Sequence, residues 1–245
     1  MLRWHRFAGS PPEVLALHGF LGSGEDFEAL HASLPLSLSA PDLHGADAAS
    51  IGELAELVAG PSIACGYSMG ARVALELALR RPLEALILIG ATAGIADPSE
   101  RAARREADEA WAQLIESAGI DPFLARWEAQ PVLAGHAAIP EPWRSRFRAR
   151  RRQADPTALA HALRRWGTGT MTPLWDRLAS ISAPVLLLVG GADRKFAELA
   201  RVLASRLPDA VHVEIPDAGH AVHLERPREV GAAVLGYLQA RGLSR

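Results

Sequence analysis

The sequence predicts an α/β fold: a mostly parallel central sheet flanked by helices, with a helical cap inserted. Two observations carry this. Short apolar runs alternate with helical stretches in the first half of the chain and again near its C-terminus, and each run is apolar throughout, as in strands covered on both faces. Between about Gly94 and Asp176 such runs stop, and charged helical segments replace them. The expected organisation is therefore a core of residues 1–93 and 177–245 with a cap at 94–176.

The elements read as follows. Glu13–Phe20 (EVLALHGF) is a buried strand running into a glycine turn, and LSLSAPDLHG is a second strand. SIGELAELVAG has helical spacing at Ile51, Leu54, Leu57 and Val58. SIACGYS is a strand, MGARVALELALRRP is a helix closed by Pro82, and LEALILIGA is a fully apolar strand. Four helical segments follow, separated by prolines and glycines, and they hold Trp111, Trp127, Trp143 and Trp166. The alternation returns with the strand APVLLLVGG, a helix at Ala197–Leu207, the strand AVHVEIPDAGH and a last helix, PREVGAAVLGYLQA.

Composition narrows the function. The chain has 245 residues, 49% hydrophobic and 22% charged, as in an ordinary globular protein. A net charge of -2 gives no sign of nucleic acid or an anionic membrane as partner. No apolar run is long enough to span a bilayer, and the N-terminal stretch lacks the apolar centre of a secretory leader. The single cysteine, Cys65, excludes an internal disulfide and reads as core packing, so the expected compartment is the cytoplasm. Of 26 basic residues only Lys195 is a lysine. An arginine is thus unremarkable in this chain, and only its position can carry an argument.

The chemistry centres on Gly66-Tyr67-Ser68-Met69-Gly70, a G-x-S-x-G pattern at a strand-to-helix turn. Such a turn is strained for a residue with a side chain, and flanking glycines let strand and helix approach closely. The serine hydroxyl then stands above the sheet at a helix N-terminus, where the dipole favours developing negative charge. The chain order Ser…Asp…His places the acid after a late strand and the histidine after the next. Asp193 and His220 stand there. Asp217 is a rival acid, but it shares the turn of His220. His223 pairs with His220 at i,i+3, yet no ligand set surrounds it, so no metal is expected. Leu17–Gly24 (LHGFLGSG) supplies an oxyanion loop, with the N–H groups of Phe20 and Met69 converging on the developing charge. His18 has a plain structural reading, a bond within its own loop.

With these motifs the chain resembles the α/β-hydrolase superfamily over nearly its whole length, and so an α/β-hydrolase fold. The segments SERAARREADEAWAQ, ARWEAQPVLAG, GGADRKF and AGHAVHLERP, with the elbow arginine, resemble one branch of it. That branch comprises the menaquinone-pathway synthases making 2-succinyl-6-hydroxy-2,4-cyclohexadiene-1-carboxylate (SHCHC). The resemblance implies a cofactor-free lyase that eliminates pyruvate from an enolpyruvyl tricarboxylate. It implies a triad of Ser68, Asp193 and His220, carboxylate-binding Arg72, Arg104 and Arg151, and substrate contacts from Tyr67 and Trp127. Arg148, Arg150 and Arg152 compete with Arg151 for its role.

Arg72 has an independent argument. It lies one helical turn after Ser68, where a cation opposes the helix dipole at a cost of about 0.3–1 kcal/mol. Either a neighbouring acid or a substrate carboxylate offsets that. A cofactor-free carboxylesterase or carbon–carbon-bond hydrolase acting on an anionic substrate remains the alternative. A non-enzymatic receptor is a more distant one.

Overall fold

A computed structural model describes residues 2–58 and 60–244. Seven strands form one sheet: β1 (Trp4–Phe7), β2 (Ser10–Leu17), β3 (Leu36–Pro41), β4 (Ile63–Tyr67), β5 (Ala85–Ile89), β6 (Val185–Gly190) and β7 (Ala210–Ile215). Their order is β1-β3-β2-β4-β5-β6-β7. Every neighbouring pair is parallel except β1 with β3. The apolar runs at β5 and β6 are buried at every position, as expected of central parallel strands. The edge strand β1 is not foreseen by the sequence. Its four residues, WHRF, are too few and too polar to stand out, and pairing with β3 supplies what their pattern lacks.

The helices α1 (Glu28–His31), α2 (Ile51–Leu57) and α3 (Met69–Ala78) lie between the early strands. Then come α4 (Pro98–Ala118), α5 (Ile120–Trp127), α6 (Trp143–Arg152) and α7 (Pro156–Trp166), with no strand among the described residues between β5 and β6. Last are α8 (Arg194–Arg206), α9 (Val222–Glu225) and α10 (Pro227–Ala240). The start of α8 is three residues earlier than the spacing suggests, because the Asp193 carboxylate caps it by accepting the Phe196 N–H at 3.4 Å. In α2, Leu57 is half exposed, and the inward stripe is Ile51, Leu54, Ala55 and Val58.

One core cluster joins the sheet to α2, α3 and α8, and another fills the opposite face beneath α10. Helices α4, α5 and α7 share a third cluster around Phe123, Ile115 and Leu163. Asp97 and Asp155 cap α4 and α7, each followed by a proline at the first helical position. β2 has β3 on one side and β4 on the other, so the connections leaving β2 and β4 part in opposite directions. Crevices at such switch points, beyond the strand C-termini, are where open α/β sheets bind ligands.

Candidate active site

Ser68 sits between β4 and α3 with φ 52° and ψ −106°, outside the regions a side chain prefers. The turn is that tight because two glycines allow it. A Cβ on Gly66 would lie 2.3 Å from the Gly70 carbonyl oxygen, and one on Gly70 would lie 2.0 Å from that of Leu17. The sharp turn lifts the hydroxyl above the strand ends.

There the Ser68 hydroxyl meets His220, whose Nε2 is 3.1 Å from Oγ. The His220 Nδ1–H donates to Asp193 Oδ2 at 2.7 Å, which fixes the tautomer and leaves Nε2 free to accept the serine proton. Asp193 is therefore the acid in contact. Asp217 is exposed, in a left-handed turn, and its carbonyl accepts from Arg226. The His220 ring is flanked by Phe196 at 4.3 Å and Tyr67 at 5.3 Å. The N–H groups of Phe20 and Met69 have no hydrogen-bond partner among the described residues. His18 is spent on structure: its Nδ1–H donates to the Gly19 carbonyl and its Nε2 accepts the Leu43 N–H, both at 2.8 Å.

His223 packs against Tyr67 and Phe27, and neither ring nitrogen has a partner among the described residues. Burial pulls its pKa down to about 3, so it stays neutral. Among the described residues no group of three or more His, Cys, Asp or Glu side chains is placed to hold a metal ion. Cys65 is buried in the sheet core, and burial pushes its thiol up to about 12.

A cavity of about 270 Å³ opens over Ser68 and His220. Phe20, Tyr67, Arg72, Arg104, Trp127 and Arg151 all line it. Arg72 is buried, donating to the Trp166 carbonyl at 2.6 Å and touching the Met171 sulfur at 3.9 Å. No carboxylate pairs with it among the described residues, so a neighbouring acid is not what offsets its charge. Burial and then the neighbouring Arg104 lower its pKa to about 10. Arg104 is half satisfied: its Nε donates to Asp108 Oδ1 at 2.9 Å. Arg151 is only 5% exposed, and Glu128 approaches its Nη1 at 3.5 Å, too far for a good hydrogen bond. Its Nε and Nη1 lack hydrogen-bond partners among the described residues, and its guanidinium lies 3.9 Å over the Phe147 ring. Burial lowers its pKa.

The side chains of the arginine run face different ways. Arg150 pairs with Asp26 at 2.8 Å and faces a different cavity, while Arg152 is exposed. Arg151 alone of that run reaches the Ser68 cavity. Trp127 packs among Phe20, Phe123 and Trp111 and also lines the cavity. Sequence reasoning did not single out Gln130, Lys195 and Phe196, which also line this cavity. Lys195 carried a signal, as the one lysine in an arginine-rich chain.

Residues 8–233 match the model of the alpha/beta hydrolase family. The chain belongs to that family. An SHCHC synthase of Enterobacter sp. (strain 638) is 32% identical, over 96% of this chain and 95% of its own length. A Bacillus subtilis (strain 168) protein, provisionally named for the same synthase, is 33% identical over 92% and 89%. Among solved structures, MenH from S. aureus superposes with a TM-score of 0.91 at 29% identity, over 99% of this chain and 100% of its own. A thermophilic esterase from Thermogutta terrifontis, in a malate-bound structure, gives 0.81 at 25%, over 98% and 93%. The chain is thus an SHCHC synthase-like enzyme of the alpha/beta hydrolase family. No helix among its described residues is long and apolar enough to cross a membrane.

Proposed function

We propose that this enzyme is a carbon–oxygen lyase of menaquinone biosynthesis. It eliminates pyruvate from 2-succinyl-5-enolpyruvyl-6-hydroxy-3-cyclohexene-1-carboxylate to give SHCHC. One observation carries the reading beyond its relatives' names. Two buried guanidiniums, Arg72 and Arg151, face the cavity of an assembled Ser-His-Asp set, and neither is closely held by a carboxylate among the described residues. Burying unpaired charge costs several kcal/mol, roughly, unless something binds it. A polyanionic substrate supplies that partner, and each planar fork suits a carboxylate.

In this reaction Ser68, its proton drawn by His220, removes the acidic ring hydrogen beside the succinyl ketone. Asp193 stabilises the imidazolium. The Phe20 and Met69 N–H groups stabilise the enolate oxygen. The electron pair then moves through the ring, the carbon–oxygen bond breaks, and pyruvate leaves as its enolate, which takes up the proton held by His220. No acyl-enzyme forms. The segment at about Gly94–Asp176 acts as the cap, contributing Arg104, Trp127 and Arg151 to substrate binding.

The test is pyruvate release from the enolpyruvyl precursor. Ser68→Ala is expected to lower kcat by about 10³-fold or more, and Arg72→Ala to act mainly by raising KM. Unchanged turnover in both variants overturns the proposal. The likeness to the T. terrifontis esterase keeps one other reading in view, transfer of an acyl group from an anionic ester to Ser68 with release of the alcohol. A burst of product with a covalent acyl adduct on Ser68 would decide for it.

A further inference from the structure

We infer that Glu225 is a positioning residue for His220, and that Gly135 of the inserted helical segment closes the brace. The Glu225 carboxylate is 2% exposed. Its Oε2 accepts the Gly219 N–H at 2.6 Å and its Oε1 accepts the Ala221 N–H at 3.1 Å. Those residues flank His220 on both sides. One side chain thus holds the backbone that carries the base, while Asp193 and the Phe196 and Tyr67 rings fix the imidazole itself. A carboxylate is the only side chain of this length with two acceptor oxygens and no donor, which is what two converging N–H groups require.

Gly135 lies against the other side of this carboxylate. A Cβ there would stand 2.4 Å from Oε1 and 2.6 Å from Oε2. The Gly135 Cα is also 3.1 Å from where a Cβ on Gly219 would be. Only glycine lets the segment Pro131–Ala138 come this close. The same stretch of chain presents Gln130, Val132 and Leu133 to the Ser68 cavity. One short strap therefore touches the substrate cavity at one end and the brace of the base at the other. A displacement of the strap would be felt by the His220 loop through Glu225.

The inference rests on Ser68, His220 and Asp193 being the working triad, so the test reads that triad without the elimination substrate. A fluorophosphonate probe labels an activated serine, and its second-order rate constant is measured beside kcat and KM for pyruvate release. Glu225→Gln keeps the size but turns an amide N–H₂ towards one of the two backbone N–H groups. It is expected to slow labelling and kcat at least tenfold while KM stays within twofold. Gly135→Ala, which leaves Glu225 in place but crowds it, is expected to do the same. The double variant is expected to be no slower than the slower single one, because both act through one brace. Circular dichroism and thermal melting establish the folded fraction, and rates are taken per folded molecule.

A Glu225→Gln enzyme within twofold of wild type in labelling overturns the positioning role, even if it melts earlier. Losses that multiply in the double variant overturn the link to Gly135. A wild-type enzyme that the probe does not label at Ser68 overturns the triad reading itself, a separate outcome.

Discussion

The sheet side of the cavity and its helical side hold their functional groups by different means. On the sheet side, Ser68 is fixed by a positive φ and by glycines with no room for a methyl group, and His220 and Asp193 stand on loops tied to strand ends. On the helical side, Arg104 and Arg151 project from helix faces; Arg104 is paired with Asp108 one turn on, while Arg151 is only loosely approached by Glu128. The first arrangement fixes reacting atoms through backbone geometry, where small displacements are costly to catalysis. The second sets charge and shape, which can change with the guest while the chemistry stays. The division fits a family in which one scaffold serves several reactions.

The comparison breaks first on its rigid side. Gly70→Ala puts a methyl group into the Leu17 carbonyl, and the atoms it meets, in Leu17 and His18, are all backbone and cannot step aside. Overpacking of this kind typically costs about 1–3 kcal/mol, and here the strain falls on the turns carrying both Ser68 and Phe20. The expected outcome is a lower melting temperature together with loss of nearly all activity. A Gly70→Ala enzyme with normal kcat would mean that the elbow tolerates slack.

On the helical side the expected result has opposite signs in two measurements. Arg151→Met removes a buried cation that is poorly paired in the free enzyme. Replacing such a group by an apolar one of similar volume is often neutral or stabilising, here by about 1 kcal/mol. Substrate then loses its charged partner, at about 3 kcal/mol, or ~100-fold in kcat/KM carried mainly by KM. A rise in melting temperature with a fall in substrate capture would identify Arg151 as a group kept for binding. A fall in both would make it a structural residue of α6.

The same division governs what the sequence could convey. The elbow, the acid and the base were legible because their backbone needs leave local marks: glycines on either side of Ser68, and a turn after each late strand. The parallel sheet was legible from the wholly apolar runs at β5 and β6. Arg151 was named through resemblance, but its distinction from Arg150 and Arg152 depends on the rotation of α6 against the core, which no local pattern records. Glu225 looked like an ordinary helix-end acid, and only the folding back of the His220 loop gives it two N–H groups to hold. The strand β1 was silent because its register with β3, not its composition, makes it a strand.

The smallest expected effect lies behind the site, at His223. Burial lowers its pKa from the ordinary 6.5 to about 3. The unfolded chain binds a proton below about pH 6.5 that the folded chain refuses down to about pH 3. This residue therefore leaves stability intact above the unfolded pKa and removes it progressively as pH falls, by about 2 kcal/mol at pH 5. His223→Phe keeps an aromatic ring between Tyr67 and Phe27 and discards two nitrogens that have no partners, so little is lost at neutral pH. Denaturant titrations at pH 7.5 and pH 5 should show wild type losing more stability between the two than the variant does. Equal losses would mean that the folded protein admits a proton at His223, by opening the space beneath Tyr67 at a cost smaller than the burial of the ring implies.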